Sequence, residues 1–168
     1  MRFKGSAFRT LDPRWAWDAL SGEGASRYGG RFNPIGIPTL YTSLSYEGAM
    51  RERIGLARTQ PVINRQYEVD IEPIFNALDA SDLHAFQIEE HDLDGPWEDD
   101  ISRGETPKSH AIALRLKEAG YAGLLVRSFS FAAISDDVNL VLWNYGSELP
   151  RKIEVVDDER GLGRRRQI

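Results

Sequence analysis

The chain has 168 residues, 41% of them apolar and 28% charged, which is enough for one globular domain with its own core. Its net charge of −5 argues against broad binding to a nucleic-acid backbone, and the absence of cysteine excludes disulfides, thiolate metal sites and a cysteine nucleophile. No run of about 18 apolar residues offers a membrane span, and the opening Met1-Arg-Phe-Lys-Gly-Ser6 lacks a signal-peptide core, so a cytoplasmic location is expected.

In chain order, residues 1–45 are rich in Gly, Pro, Ser and aromatics and read as short strands joined by turns. They carry the stretch Ser21-Gly-Glu-Gly-Ala-Ser-Arg-Tyr-Gly-Gly-Arg31-Phe-Asn33-Pro-Ile-Gly36, then a strand over 38–43. A helix is expected over 46–58, capped by Ser45. Gly48 and Gly55 weaken it, each by up to ~1 kcal/mol relative to alanine. Residues 67–71 alternate like a strand. Residues 72–108 are mixed, acidic and loop-rich, with Trp97 as the main apolar anchor.

A helix follows over 109–119, with Ile112, Leu116 and Ala119 on one side and Gly120 as its stop. Segments 122–128 and 138–145 read as buried strands, joined through the turn-prone Ser135, Asp136 and Asp137. Strands in groups with few helices between them predict an α+β fold rather than a parallel α/β sheet. The expectation is a single domain over 1–168, with its core in about 5–146 and a C-terminal extension over 147–168. That extension ends in Arg164-Arg165-Arg166, read as a solvated terminus or as a contact for an acidic partner.

The residues able to carry chemistry each admit two readings. Gly29 and Gly30 let a ligand approach the main chain, and Arg31 offers a fork of donors suited to phosphate or ribose oxygens; a tight turn with a surface arginine fits equally. Tyr41, in a strand, can pack in the core or stack on a flat heterocycle. Glu52 shares a helix face with Ala49 and Leu56, while Arg51 and Arg53 point elsewhere; it is either a lone carboxylate in a cleft or a rim glutamate paired to an arginine. Ser128 and Asn139 stand at strand ends, where polar side chains reach a cleft or bond an edge. His84, His91 and His110 lack metal-ligand spacing and read as surface residues, so no metal site is expected. No phosphate-binding Walker loop, dinucleotide fingerprint or serine nucleophile elbow is present.

Taken together, the run from Gly22 through Arg31, Asn33, Gly36 and Tyr41, followed by Glu52, resembles the RES-domain family. So do the Leu-x-x-x-Gly-Tyr121 helix end, the strand reaching Ser128 and the strand Asn139-Leu-Val-Leu-Trp143. The resemblance implies a fold like that of ADP-ribosyltransferase toxins: a split antiparallel β-sheet core with flanking helices. It further implies a bacterial toxin of a toxin–antitoxin system that consumes NAD+ as substrate, without prosthetic group. Its expected partners are a helix-turn-helix antitoxin and, for transfer chemistry, a protein acceptor of ADP-ribose, with no membrane and no direct nucleic acid. On this resemblance Glu52, Arg31 and Tyr41 are the catalytic trio, and Gly30, Arg31, Tyr41, Ser128 and Asn139 bind the dinucleotide.

Leu56 departs from the family, whose members often carry a histidine one helical turn after the glutamate; its absence favours transfer to a protein acceptor over activation of water or phosphate. The rival readings are a toxin ribonuclease and a non-catalytic nucleotide-binding module.

Overall fold

Alternation of buried and open positions sets the first strand. In the computed structural model, which describes residues 1–54 and 61–157, β1 (Phe3–Leu11) buries Ala7 and Leu11 on one side and turns Phe8 and Thr10 to the other. Along its whole length β1 pairs antiparallel with β3 (Ile63–Ile71), whose far edge takes β7 (Arg151–Val155). On its other side β1 meets β2 (Leu40–Ser43) through the single pair Phe8 and Ser43. β2 then pairs through all four of its residues with β6 (Val138–Leu142), and β6 pairs with β5 (Gly123–Arg127). The order β4-β5-β6-β2-β1-β3-β7 is completed by β4 (Ile74–Asn76), which runs parallel to β5. The sheet is thus two well-paired halves pinched together between β1 and β2. This is the expected α+β architecture with its split; the parallel β4–β5 pair at one edge is the addition to the antiparallel pattern.

One face of the sheet buries Leu11, Leu40, Tyr67, Leu140 and Leu142 under Ala19 and Leu20, which follow a 3-10 turn (Pro13–Asp18). The Tyr67 hydroxyl, pressed into this core, donates to the Ala19 carbonyl at 2.7 Å. The other face buries Phe75, Leu124, Val126 and Val141 against Ile112, Ala113 and Leu116 of α6 (Lys108–Glu118). Each such side chain contributes about 1.5–3 kcal/mol on burial.

Three sequence readings need correction here. Residues 72–108 are not loop: they hold β4, α3 (Ala80–Ala85), α4 (Glu90–Leu93) and α5 (Trp97–Ser102). The anchors of that region are Ile88 and Leu93, both buried, whereas Trp97 is half-buried against the His110 ring. On α6 it is Ala113, not Ala119, that joins Ile112 and Leu116 inside. Gly120 does end that helix, with the Tyr121 and Gly120 N–H groups closing on the Leu116 and Lys117 carbonyls.

The sheet also runs past residue 146, because β7 lies in what was expected to be an extension. In the first 45 residues, β1 is a long strand, and the glycine-rich stretch opens with a helical turn, α1 (Glu23–Tyr28). The basic tail and Leu56 lie outside the described residues.

Candidate functional site

The pinch puts a short helix over a strand end. After β2 only Leu44 and Ser45 intervene before α2 (Tyr46–Ile54), and the Ser45 hydroxyl caps it by accepting from the Gly48 N–H at 2.9 Å. Glu52 sits about two turns into α2. Gly48 is the price of close approach rather than a weakness: a Cβ there would meet Ser45 Oγ at 2.9 Å and Asp137 Oδ1 at 3.1 Å.

Among the described residues, Glu52 is not paired to an arginine. Its Oε1 accepts from the Ser128 hydroxyl at 2.5 Å and from Asn139 Nδ2 at 2.7 Å. Asn139 is itself fixed, because its Oδ1 accepts from Ser43 Oγ at 2.7 Å across the β2–β6 register. Ser43, Asn139 and Glu52 therefore form a chain of hydrogen bonds that ends on a carboxylate with one oxygen held and, among the described residues, no donor on the other.

Arg51 explains why α2 stays in place. Its guanidinium makes a two-pronged bond to Asp137, Nε at 2.6 Å and a terminal nitrogen at 2.5 Å. The buried Asp137 carboxylate also accepts from the Ile134 N–H, and the Asp137 carbonyl accepts from the Ser128 N–H. One ion pair thus ties the helix bearing Glu52 to the loop bearing Ser128. The hydrogen bond from Arg51 holds the Asp137 carboxyl below its ordinary value. A depressed carboxyl contributes stability that is present above its unfolded value, near 3.9, and lost as pH falls through the folded value. Wild-type protein should therefore lose more denaturation midpoint than Asp137→Asn between about pH 6 and about pH 3. Parallel curves for the two proteins would mean the pair does not stabilise the fold.

The glycine-rich stretch folds into a tight turn. Gly30 and Asn33 exchange both backbone hydrogen bonds, leaving Arg31 and Phe32 at the tip. The Tyr41 hydroxyl sits beneath this turn, accepting from the Phe32 N–H at 2.9 Å and donating to Asn33 Oδ1 at 2.8 Å. The Phe32 carbonyl in turn accepts from Trp143 Nε1 at 3.0 Å. Burial raises the Tyr41 phenol well above its ordinary value, so it stays protonated and acts as a scaffold and ring surface, not as a base.

Gly30 spends both backbone groups inside the protein, and its carbonyl also accepts from His110 Nε2 at 2.7 Å. The expected backbone hydrogen bonds from Gly30 to a ligand thus have no spare N–H to supply them. His110 is buried, against the surface reading made from sequence; His84 and His91 are exposed as expected.

Arg31 reaches across to the α4–α5 loop. It donates to the Gly95 carbonyl at 2.7 Å, and its guanidinium carbon stands 5.1 Å from the centre of the Phe129 ring. Burial pushes its pKa down, and the carboxylates of Asp94, Glu52 and Glu98 push back, which places the Arg31 charge within electrostatic reach of Glu52.

At the pinch these residues enclose a cleft of about 310 Å³, lined by Phe8, Thr10, Tyr41, Ser43, Glu52 and Asn139 among others. That is at the low end of the ~300–1,000 Å³ of small-molecule sites, so it suits one end of a dinucleotide. A second hollow of about 360 Å³ lies between α4, α5 and the start of α6. It is larger, but its Asp92 and Asp100 are paired to Lys108 and Arg103, whereas the cleft at the pinch holds a glutamate bound only by neutral donors among the described residues.

Of the sequence candidates, Tyr41, Glu52 and Asn139 line this cleft, Ser128 is joined to it through Glu52, Gly30 lies against the Tyr41 hydroxyl with Arg31 next to it in the turn, and no metal-holding group of His, Asp and Glu exists among the described residues. Ser43, Arg51, Asp137 and His110 were missed. Only Arg51 and Asp137 left a trace in sequence, as neighbours of Glu52 and of a turn.

The comparisons with known proteins bear on the family and the fold. The model of a family described as the RES domain matches residues 6–161. No curated protein matches the chain. Among solved structures, the chain is similar to one in the crystal structure of the M. tuberculosis MbcT-MbcA toxin-antitoxin complex, at 22% identity and a TM-score of 0.64, covering 94% of this chain and 84% of that one. At that identity the likeness carries the fold. No helix among the described residues is long and apolar enough to cross a membrane.

Proposed function

Because the chain belongs to the RES-domain family, we propose that it is the toxin of a toxin–antitoxin pair, an enzyme that binds NAD+ in the cleft between β1 and β2 and cleaves the nicotinamide–ribose bond. ADP-ribose then passes to a protein side chain, or to water or phosphate. The observation that carries this reading is the Glu52 carboxylate held by Ser128 and Asn139 beside the Tyr41 ring.

The chemistry follows from charge. As the bond from ribose C1′ to the nicotinamide nitrogen breaks, its electron pair leaves with neutral nicotinamide and positive charge develops on the ribose. A fixed carboxylate on that ribose stabilises the transition state without reorganising, the kind of preorganised electrostatic help that enzymes rely on most. Ser128 and Asn139 occupy one Glu52 oxygen, which leaves the other for a ribose hydroxyl and for the proton released by the attacking acceptor. The Tyr41 ring offers a face for nicotinamide, and Arg31 adds positive charge at the rim for ribose oxygens. Ser128 and Asn139 act here through Glu52.

A helix-turn-helix antitoxin is the partner this reading requires, and the complex named for the similar M. tuberculosis chain supports an antitoxin of some kind. Ribonuclease chemistry is disfavoured, since an acid–base pair of histidines is lacking: His110 is buried and committed to the Gly30 carbonyl.

The choice of acceptor is open to a direct test. Mass spectrometry of lysate proteins after brief expression should reveal ADP-ribosyl adducts. Loss of bulk NAD+ with no adduct would move the assignment to hydrolysis or phosphorolysis, and degraded RNA with intact NAD+ would move it to the ribonuclease.

A further inference from the structure

Arg53 is the arginine of this site that holds no protein group among the described residues. Four arginines approach the cleft from the described residues, and three of them already hold protein groups. Arg51 is bound to Asp137. Arg31 donates to the carbonyls of the α4–α5 loop and rests near Phe129. Arg9 donates to the carbonyls of Ala19 and Ser21. Arg53 lines the cleft together with Glu52, Thr10 and Ala49, yet it makes no hydrogen bond or ion pair among the described residues. Its charge adds to the forces that depress the Asp12 carboxyl, behind Arg14.

An unpaired, half-buried guanidinium on a cleft wall is suited to an anion that arrives with the ligand. Being next to Glu52 in a helix, Arg53 leaves the backbone about 100° further round. Glu52 turns toward Ser128 and Asn139, so Arg53 serves a different part of the cleft, on the side of β1 and Asp12. We propose that Arg53 binds the phosphate groups of the substrate, so that the cleft recognises a nicotinamide ribose through Glu52 and a neighbouring pyrophosphate through Arg53. This rests on the reading of the cleft as an NAD+ site. It transfers the phosphate-binding part that the sequence suggested for Arg31 to a residue that has its donors available.

The test compares a substrate that has phosphates with one that lacks them. Wild type, Arg53→Gln and Arg53→Lys are assayed for nicotinamide release from NAD+ and from nicotinamide riboside, and each is titrated calorimetrically with ADP-ribose. Loss of one charged hydrogen-bonding group predicts that Arg53→Gln raises KM for NAD+ about 10–100-fold with kcat near wild type. It also predicts that the preference for NAD+ over nicotinamide riboside falls by the same factor, that ADP-ribose binding weakens in parallel, and that lysine restores part of each. Unchanged KM and unchanged ADP-ribose affinity in Arg53→Gln, with wild type releasing nicotinamide, overturns the role of Arg53 and leaves the cleft's function standing. Arg53-dependent binding of ADP-ribose by a wild type that releases no nicotinamide supports the phosphate site and removes the proposed reaction instead.

Discussion

Glu52→Gln is expected to lower the rate of nicotinamide release by about 10²–10³-fold, the usual cost of deleting one preorganised electrostatic group. Glutamine keeps the volume of the side chain, and its carbonyl oxygen can still accept from Ser128 and Asn139. The fold should therefore survive, with a melting temperature close to wild type, and the loss should fall on kcat rather than on NAD+ binding. What glutamine lacks is the negative charge. A variant that is folded and retains full activity would remove Glu52 from the mechanism, whatever else the cleft binds. Ser128→Ala and Asn139→Ala leave the charge but loosen it, so their losses should be smaller and share a common pH profile with wild type.

The second large effect is expected at Gly30. An alanine Cβ there would stand 2.6 Å from the Tyr41 hydroxyl and 2.8 Å from Asn33 Oδ1, too close for either atom to remain. Overpacking alone costs about 1–3 kcal/mol. Displacing the Tyr41 hydroxyl also strands the Phe32 N–H and Asn33 Oδ1, at about 1–3 kcal/mol for each buried group left unpaired. Gly30→Ala should thus lose at least ~3 kcal/mol by urea denaturation. Tyr41→Phe alone should lose less, since it strands the same groups without a clash. The combination is diagnostic: removing the hydroxyl makes room for the methyl, so the double variant should be more stable than the sum of the two single losses. Strict additivity would show that the Gly30 backbone is not packed on Tyr41.

The sequence made the regular parts of this fold readable wherever an element was long or well punctuated. α6 shows a helical stripe ending at Gly120, α2 shows the Ser45 cap, and β5 and β6 are short apolar runs between turn residues. The region from β4 to α5 was unreadable because its elements are three to six residues long, shorter than two full periods of the patterns that reveal them. β7 was hidden for a different reason: Arg151-Lys-Ile-Glu-Val155 buries only Ile153, as an edge strand can, and so it looks like a polar tail.

The site followed the same logic. Arg31, Tyr41 and Glu52 lie close in sequence and could be noticed together. The partners that hold Glu52 come from 76 and 87 residues away, and only pairing of β2 with β6 and of β6 with β5 brings them in. Without the family resemblance, nothing in the sequence distinguished Ser128 and Asn139 from ordinary strand-end residues. His110 was misread because its partner is a backbone carbonyl, and a carbonyl leaves no mark on the amino-acid sequence.

The central claim is that the pinch between β1 and β2 is a site of nicotinamide–ribose cleavage. It is tested most directly by following free nicotinamide after purified protein, without antitoxin, is mixed with NAD+. Steady release that exceeds the amount of protein added and is abolished in Glu52→Gln is the predicted result. Nicotinamide that stays at the level of a protein-free control, with protein shown to be folded and acceptor, water and phosphate all present, would contradict it.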